Sequence, residues 1–265
     1  MRPSRHEKVR PRADAMNGAH YRAWRGAVRG DFSRISAGPY QLYLRADLAR
    51  YATTLAAALR ELGAAGAPGA GNRGGGFKLA LPAGPELFVR RARRGGAMRF
   101  VLDDLYFGLR PRPLIELAVT AEAARRGVPL AEPMGAAVRW VAPGFYRGFF
   151  ITRAAAGMTL WEFLRTDDDP SVRIHVLECA RAAIETMLRE GLHHPDLNLE
   201  NLFVTPRGES FAVIILDLDK ARLYDRAVGG AARRRIAARL MRSARKLDPR
   251  GRYLDSAVLS ILNFA

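Results

Sequence analysis

The pattern of apolar and polar positions predicts a first half rich in β-strands. Short apolar runs, bounded by Gly and Pro, are typical of strands, whereas apolar positions three or four residues apart indicate helices. The strands are predicted over 77–81, 87–91, 138–141 and 149–152, and the helices over 42–62 and 112–126. A Gly- and Pro-rich stretch over 63–76 separates the first helix from the first strand and is incompatible with regular structure.

The second half is predicted to be mainly helical. Its clearest helix spans 171–189, where Ser171 can cap the start and Gly191 ends the pattern. Its apolar stripe consists of Ile174, Leu177, Ala180, Ile184 and Leu188. The remaining predicted elements are a short helix over 160–164, a hairpin with strands 202–205 and 212–216, and a final helix over 231–247.

These elements predict an α+β fold in which a small β-rich lobe and a mainly helical lobe enclose a cleft. We divide the chain into a basic flexible arm (1–40), an N-terminal lobe that carries the Gly-rich loop (41–152) and a helical C-terminal lobe (153–265). The length of 265 residues agrees with one large domain or two small ones.

The charge balance is strongly positive. The chain has 43 Lys and Arg against 26 Asp and Glu, a formal net charge of +17. Such a charge indicates an anionic partner, which can be nucleic acid, an anionic membrane surface or a phosphorylated substrate. Coding bias that leaves the arginines solvated is the alternative, and composition alone does not choose among these.

Cysteine usage and hydropathy point to the cytoplasm. The single cysteine, Cys179, excludes an intramolecular disulfide, and its place in the helix 171–189 favours a structural thiol over a nucleophile. There is no apolar run of 18 residues, and no apolar block follows the basic start of the chain. We therefore expect a cytoplasmic protein that can contact a membrane only from the side.

The candidate chemistry is concentrated in two short segments. Segment 194–201 reads HPDLNLEN, and segment 215–219, which follows the predicted hairpin, reads ILDLD. Asp and Asn alone are weak signals because both favour turns. The elements here follow the order found in protein-kinase-like phosphotransferases. They are a helix, a loop with Asp and then Asn five residues later, a hairpin, and an Asp at the end of a strand.

Phosphoryl transfer explains why these residue types are needed. The reaction requires in-line placement of the acceptor hydroxyl and neutralisation of the triphosphate charge. Asp196 suits the role of proton acceptor, and Asn201 and Asp217 offer the oxygen ligands that Mg²⁺ prefers. His194 is expected to hold the loop backbone and not to take part in the chemistry.

With these motifs the chain resembles the lipopolysaccharide core kinase family, and within it most closely the 3-deoxy-D-manno-octulosonic acid (Kdo) kinases. The resemblance covers roughly 71–222. It is carried by segments 87–96, 127–133, 157–164, 191–201 and 216–221, and by Asp104, Tyr106, Gly108, Leu109 and Arg112. It implies a protein-kinase-like two-lobed fold. In the catalytic loop, Asn198 stands where protein kinases usually carry Lys, and Glu116 stands where a glutamate braces the phosphate-binding cation.

Two departures from the kinase pattern concern nucleotide binding. No Lys lies in the second strand of the first hairpin, so Arg90 is the candidate phosphate-binding cation, with Lys78 as a weaker one. The glycines Gly74, Gly75 and Gly76 do not follow G-x-G-x-x-G and either admit phosphates or mark a linker. Further along, Asp219 replaces the glycine of D-F-G, and a salt bridge to Lys220 is favoured over metal binding.

The resemblance implies ATP- and Mg²⁺-dependent phosphorylation of the 4-hydroxyl of Kdo on a lipid A precursor, at the cytoplasmic face of the inner membrane. An anionic membrane surface then accounts for the charge. The basic helix 231–247 carries a stripe formed by Ile236, Leu240 and Leu247, which either rests on the membrane or packs on the helical lobe.

Two alternatives stay open at this stage. One is a kinase-like phosphotransferase for a soluble amino sugar, which the catalytic segment does not exclude. The other is a basic pseudokinase or nucleic-acid-binding protein, and the joint presence of Asp196, Asn201 and Asp217 argues against it. The oligomeric state is not predicted.

Overall fold

The structure, a computed structural model, describes residues 31–64, 76–92 and 105–264. Most of the predicted basic arm and the glycines Gly74 and Gly75 lie outside these ranges, as does Asp104.

The N-terminal lobe is built on one antiparallel sheet of seven strands. Its order is β1-β2-β6-β7-β4-β3, with β5 paired to β7. The strands are β1 (Phe32–Ala37), β2 (Tyr40–Arg45), β3 (Gly76–Ala80), β4 (Glu86–Arg91), β5 (Tyr106–Phe107), β6 (Pro133–Ala142) and β7 (Phe145–Arg153). The hairpin β3–β4 and the turn between β6 and β7 lie where the sequence predicts them, although β6 begins several residues earlier than expected.

Helices cover both faces of this sheet. Helix α1 (Ala52–Ala64) packs Leu55 and Leu59 into a core that includes Leu42 and Leu87. Helix α2 (Arg112–Arg125) packs Leu114, Leu117 and Ala121 against the opposite face, where Ala136 and Phe150 are buried. Strands β6 and β7 are therefore covered on both faces, and α2 is fixed above the end of β4.

The predicted helix over 42–62 is wrong in its first half, because the α-helix begins only at Ala52. Leu42 and Leu44 are fully buried while the residues between and after them are half-exposed, so strand β2 alternates with a period of two. A 3₁₀ segment (Ala46–Tyr51) then leads into α1. Residues 32–37, assigned to the flexible arm, form strand β1, whose single fully buried side chain, Phe32, gives the sequence almost no alternation.

The C-terminal lobe is mainly helical, as predicted, and the α+β fold with a β-rich lobe and a helical lobe is confirmed. It contains α3 (Leu160–Thr166), α4 (Pro170–Arg189), α5 (Gly230–Leu247) and α6 (Ser256–Leu262). The short strands are β8 (Met158–Thr159), β9 (Leu192–His193), β10 (Leu202–Arg207), β11 (Ser210–Ile215) and β12 (Arg222–Leu223). Strands β10 and β11 form the predicted hairpin, β8 pairs with β10, and β9 pairs with β12.

Helix α4 forms the centre of this lobe. Leu177, Ala180, Ile184 and Leu188 are buried as the periodicity predicts, but Ile174 is 47% exposed. Asp169, and not Ser171, is the N-cap, because its carboxylate accepts the backbone N–H of Ser171 at 2.8 Å. Cys179 is half-buried, and burial raises the pKa of its thiol, which favours the protonated form.

Helix α5 packs its apolar stripe on the helical lobe. Ile236 and Leu240 are buried in the core of that lobe, and Leu247 packs against it. The exposed basic side chains of this helix are Arg234, Arg235, Arg242, Arg245 and Lys246. Of the two arrangements considered for the helix, packing on the lobe is therefore the one present. Within the described ranges, no helix is both long and apolar enough to cross a bilayer.

Asp248 organises the chain after α5, which gives a first prediction. Its carboxylate accepts the backbone N–H groups of Arg252, Tyr253 and Leu254 at 3.1, 2.7 and 2.9 Å. We expect Asp248→Ala to lower the free energy of unfolding by about 1–3 kcal/mol, because these donors lose their acceptor. Urea denaturation measures the change, and Asp225→Ala, at a highly exposed position, is the control with little expected effect.

The same carboxylate makes that stabilisation depend on pH. Burial opposes ionisation of Asp248, but the backbone donors outweigh it and hold its pKa below the ordinary value. A carboxylate whose pKa is lowered on folding stabilises above its unfolded pKa and loses that contribution as the pH falls through its folded pKa. The deficit of Asp248→Ala should therefore shrink in acid, and an equal deficit at neutral and acidic pH would contradict the assignment.

Candidate active site

The loop 194–201 is held in shape by Asn198. The Asn198 Oδ1 accepts the backbone N–H groups of Glu200 and Asn201 at 2.8 and 3.1 Å, and its Nδ2 donates to the Asp196 carbonyl at 3.1 Å. Leu197 and Leu199 are fully buried between these polar residues. The side chain of Asn198 thus acts within the loop, as a positioning residue for Asp196.

His194 ties this loop to the segment that carries Asp217. Its imidazole is buried, and Nε2 lies 3.1 Å from the carbonyl oxygen of Leu216, to which it donates. Burial lowers the pKa of His194, so the ring is neutral near pH 7. This is the loop-holding position that the sequence predicts for His194, one residue away from the acidic side chain of Asp217.

Asn201 and Asp217 lie on adjacent chain segments. The backbone N–H of Leu216 donates to the Asn201 carbonyl at 2.8 Å, and the Asn201 Nδ2 donates to the Asp196 carbonyl at 3.1 Å. Asp217 has a φ of +59°, a left-handed conformation that Asp tolerates better than most residues. The side chain of Asp217 is about half-exposed. The three residues 196, 201 and 217 are therefore brought together.

Arg90 joins the two lobes at this point. The guanidinium nitrogen Nη2 of Arg90, on β4, lies 2.5 Å from the Glu116 carboxylate on α2 and 3.3 Å from the Asp217 carboxylate. Glu116 is almost fully buried, and burial raises its pKa to about 7 although Arg90 opposes the shift. Gly76 pairs with Arg90 across strands β3 and β4. The predicted cation and its bracing glutamate are thus in contact.

Two basic side chains lie on the carboxylate of Asp196. Lys220 Nζ is 2.8 Å from one oxygen, and Nη2 of Arg239, on α5, is 3.6 Å from the other. The hydrogen bond from Lys220 holds the pKa of Asp196 below its usual range. The predicted Asp219–Lys220 salt bridge is wrong: Asp219 pairs with Arg112 at 3.4 Å, because the chain after Asp217 directs these consecutive side chains towards different lobes.

Arg239 was not predicted as a site residue. It is one of many arginines on a basic helix, and the sequence has no signal that distinguishes it from its neighbours. Lys220 was assigned to the wrong partner, although its position directly after the segment 215–219 could have suggested a role near Asp196. Lys78, the weaker candidate for phosphate contact, instead pairs with Glu86 at 3.2 Å on the exposed edge of the sheet.

The donor set suits a hard divalent cation shared with a nucleotide. Within the described ranges, no group of three or more His, Cys, Asp or Glu is arranged to hold a metal. Asn201 and Asp217 offer an amide oxygen and a carboxylate, and Mg²⁺ in such sites takes its other ligands from phosphates and water. The bond from Asn201 Nδ2 to the loop also fixes which end of that amide carries the free oxygen.

Comparison with known proteins identifies one family and several curated relatives. The model of the lipopolysaccharide kinase (Kdo/WaaP) family matches residues 70–252. A 3-deoxy-D-manno-octulosonic acid kinase of Xylella fastidiosa strain M12 is 30% identical over 162 residues, and that of strain 9a5c is 29% identical over 162 residues. Each alignment covers 60% of this chain and 61% of the relative, so the chain spans about three fifths of the length of these curated relatives.

A solved structure described as WaaP in complex with acyl carrier protein is also similar, with 16% identity and a TM-score of 0.47 over 95% of this chain and 84% of the other. The family model provides the stronger link. Its match begins before strand β3, ends beyond α5 and includes every described residue that the sequence assigned to the site. The chain belongs to the lipopolysaccharide kinase (Kdo/WaaP) family.

Proposed function

We propose that the protein is an ATP-dependent kinase that phosphorylates a sugar hydroxyl, the 4-hydroxyl of Kdo, on a lipid A precursor. The observation that carries this proposal is the contact between the lobes: Arg90 from the sheet lies 3.3 Å from Asp217 of the helical lobe. A phosphate-binding cation and a metal-binding carboxylate thereby face one cleft, with Asp196 beside them. Family membership supports a sugar kinase of lipopolysaccharide synthesis.

Each side chain then has a defined task. Arg90, braced by Glu116, binds phosphate oxygens of ATP, and Asn201 and Asp217 hold Mg²⁺. The bound metal supplies neutralisation of charge on the triphosphate. Asp196 orients the acceptor hydroxyl and takes its proton as the oxygen bonds to the γ-phosphorus and the bond to the bridging oxygen of ADP breaks. His194 and Asn198 keep the loop in place.

The choice of Kdo is supported by the relatives, which are named 3-deoxy-D-manno-octulosonic acid kinases. The test is transfer from radiolabelled ATP to a panel of a Kdo-bearing lipid A precursor, its deacylated form and a soluble amino sugar. We expect label on the Kdo acceptors and none on the amino sugar. Transfer to the amino sugar alone would replace the proposed acceptor, and absence of transfer to every acceptor would contradict kinase activity.

We further propose that the protein works as a peripheral protein on the anionic cytoplasmic face of the inner membrane. The net charge of +17 supports this, because each basic residue near an anionic leaflet contributes about 1 kcal/mol of attraction. The attraction is screened by salt. The phosphates of the proposed acceptor would add a second anionic target for the same charge.

Lys220 provides a second prediction. Its Nζ donates to the Asp196 carboxylate at 2.8 Å and lowers the pKa of that base. We expect Lys220→Met to reduce kcat up to about fivefold, because the hydrogen bond orients the base but joins two largely exposed side chains, and such a pair is worth about 0.2–1 kcal/mol. The KM for ATP should change little. Lys246→Met, at an exposed position on α5, is the matched control.

The pH profile separates a role at Asp196 from a general loss of structure. Without Lys220 the pKa of Asp196 moves up towards its ordinary value. The acidic limb of kcat/KM should therefore move to higher pH in Lys220→Met and stay in place in Lys246→Met. An unchanged limb together with an unchanged kcat would contradict the role of Lys220.

A further inference from the structure

Five large apolar side chains are exposed together at one end of the N-terminal lobe. We call this group the aromatic tip: Phe107, Leu109, Trp140, Val141 and Phe145, which are 70, 85, 37, 52 and 38% exposed. Scattered apolar residues on a surface need no explanation, but a group of this kind marks an interaction site. The function proposed above does not use these residues.

The aromatic tip is held in place by backbone contacts. Phe107 pairs with Phe145 across β5 and β7, and their ring centroids are 5.1 Å apart. The backbone N–H of Gly108 donates to the carbonyl of Gly144 at 2.8 Å. Gly144 has a φ of +76°, and a Cβ there would lie 3.1 Å from the Phe107 ring, so glycine allows both the turn and the ring position. The rings are therefore presented outward on a fixed turn.

We infer that the aromatic tip inserts into the interfacial layer of an anionic membrane. Trp favours the level of the lipid headgroups, and Phe and Leu are typical of the apolar face of segments that lie in the membrane interface. The two segments that form the tip, 105–111 and 139–147, contain three arginines and no Asp or Glu. Two of these, Arg139 and Arg147, face each other across β6 and β7 next to Trp140. Apolar side chains in front of a purely cationic stretch complement an anionic lipid surface.

The aromatic tip is connected to the candidate active site through packed side chains. The ring of Trp140 lies 5.5 Å from that of Tyr146, which stacks on Tyr106 at 5.6 Å. The guanidinium of Arg112 lies 5.2 Å from the Tyr106 ring and 3.4 Å from Asp219. An acceptor held in the same membrane could therefore meet the cleft while the tip is inserted. In this respect the inference rests on the proposed function.

Helix α5 cannot make the same contact. Its apolar stripe is buried in the helical lobe, so its exposed arginines offer charge alone. Attraction through charge weakens steeply with salt, whereas burial of apolar side chains does not. The two surfaces therefore predict two components of membrane binding: a salt-sensitive one from α5 and a salt-resistant one from the aromatic tip.

Vesicle flotation tests the inference. The full chain is mixed with vesicles of phosphatidylethanolamine and phosphatidylglycerol at low and high salt, without ATP. The triple variant Phe107→Ser, Leu109→Ser, Val141→Ser keeps the charge, and we expect its partition coefficient at high salt to fall roughly tenfold or more. The matched control is Ile174→Ser on α4, which removes another exposed apolar side chain and should bind like the wild type.

A second measurement reports the depth of Trp140. Brominated lipids quench a tryptophan that enters the bilayer, and Trp161 is buried in the helical lobe. The third tryptophan of the chain is replaced in both proteins that are compared. We expect quenching in Trp24→Phe and its loss when Trp140→Phe is added. Quenching that persists in the double variant would overturn insertion at this tip.

Four further results would contradict either the inference about the aromatic tip or the proposed function. Wild-type binding by the triple variant, or absence of wild-type binding to these vesicles, would overturn the inference, and in the latter case the tip would be a protein interface. The inference would also be overturned if binding at high salt were lost in the variant Arg234→Gln, Arg235→Gln and kept in the triple variant. If the wild type binds vesicles but transfers no phosphate, the proposed function is contradicted, whereas the inference about the aromatic tip is not.

Activity measurements on two acceptors distinguish a defect in membrane binding from a defect in the active site. If the tip serves only the membrane, the triple variant should phosphorylate a deacylated, water-soluble acceptor at the wild-type rate and lose activity on the same sugar embedded in vesicles. Equal losses on both acceptors would place the defect in the cleft and contradict a membrane role.

Discussion

Asp196→Asn is expected to lower kcat for phosphate transfer by about 10²–10⁴, the range typical of a removed general base. The amide has the size of the carboxylate but takes no proton from the acceptor hydroxyl. The KM for ATP should change little, because in the proposed mechanism the phosphate contacts come from Arg90 and, through the metal, from Asn201 and Asp217. Steady-state kinetics with the Kdo-bearing lipid acceptor measures both constants.

The variant Asp196→Asn also changes the charge of the cleft, so it needs a control for charge. Lys220 and Arg239 lie on its carboxylate, so neutralising residue 196 leaves two cations in the cleft. The control is Asp225→Asn, which removes a carboxylate beside Arg126 on an exposed surface. It would reproduce any effect that comes from the change in net charge alone. That control should keep the wild-type kcat. Retention of most of the activity by Asp196→Asn would remove Asp196 from the mechanism.

Arg90→Met is expected to have the largest effect on stability. Glu116 would keep its place among buried residues without its cation, and breaking a buried ion pair in this way costs about 3–5 kcal/mol. The KM for ATP should also rise, because the guanidinium that we propose to bind phosphate is gone. Lys78→Met, in an exposed pair of the same sheet, is the matched control, and we expect it to cost less than about 1 kcal/mol.

The pH dependence of this loss has a definite sign. Burial raises the pKa of Glu116 to about 7 in the folded protein, against an ordinary 4.5, so the contribution of Glu116 to stability declines as the pH rises between these values. Without Arg90 the folded pKa moves higher still, and the decline continues above neutrality. Urea denaturation should therefore show a deficit that is steady between about pH 5 and about pH 7 and grows as the pH rises above about 7.

A double variant distinguishes the two roles of Arg90. Replacing both partners of a buried pair with apolar residues is often neutral for stability. Arg90→Met combined with Glu116→Leu should therefore recover most of the lost stability while the KM for ATP stays high. Recovery of both would show that Arg90 acts only as a structural residue, and the phosphate-binding role would be contradicted.

The sequence predicted the elements whose pattern is local. The hairpin β3–β4, helix α2 and helix α4 lie close to their expected ranges, because each has a clear period and is bounded by Gly or Pro. Strand β2 was misassigned because its two buried leucines directly precede a helical pattern. Their spacing fits both a strand and a helix, and only the neighbouring strands of the sheet decide between the two. The predicted contact of Arg90 with Glu116 holds because a sheet and the helix packed on it allow few registers.

By itself, the sequence predicted the chemistry of the cleft: the order of His194, Asp196, Asn201 and Asp217 along a loop and a hairpin indicates a phosphotransferase. Only the tertiary structure decided which cations lie beside Asp196 and which apolar side chains are exposed. Arg239 reaches Asp196 because α5 packs its apolar stripe on the helical lobe. The aromatic tip is exposed because β5 pairs with β7 and turns its rings outward. Both depend on contacts between residues far apart in the chain, which no local pattern records.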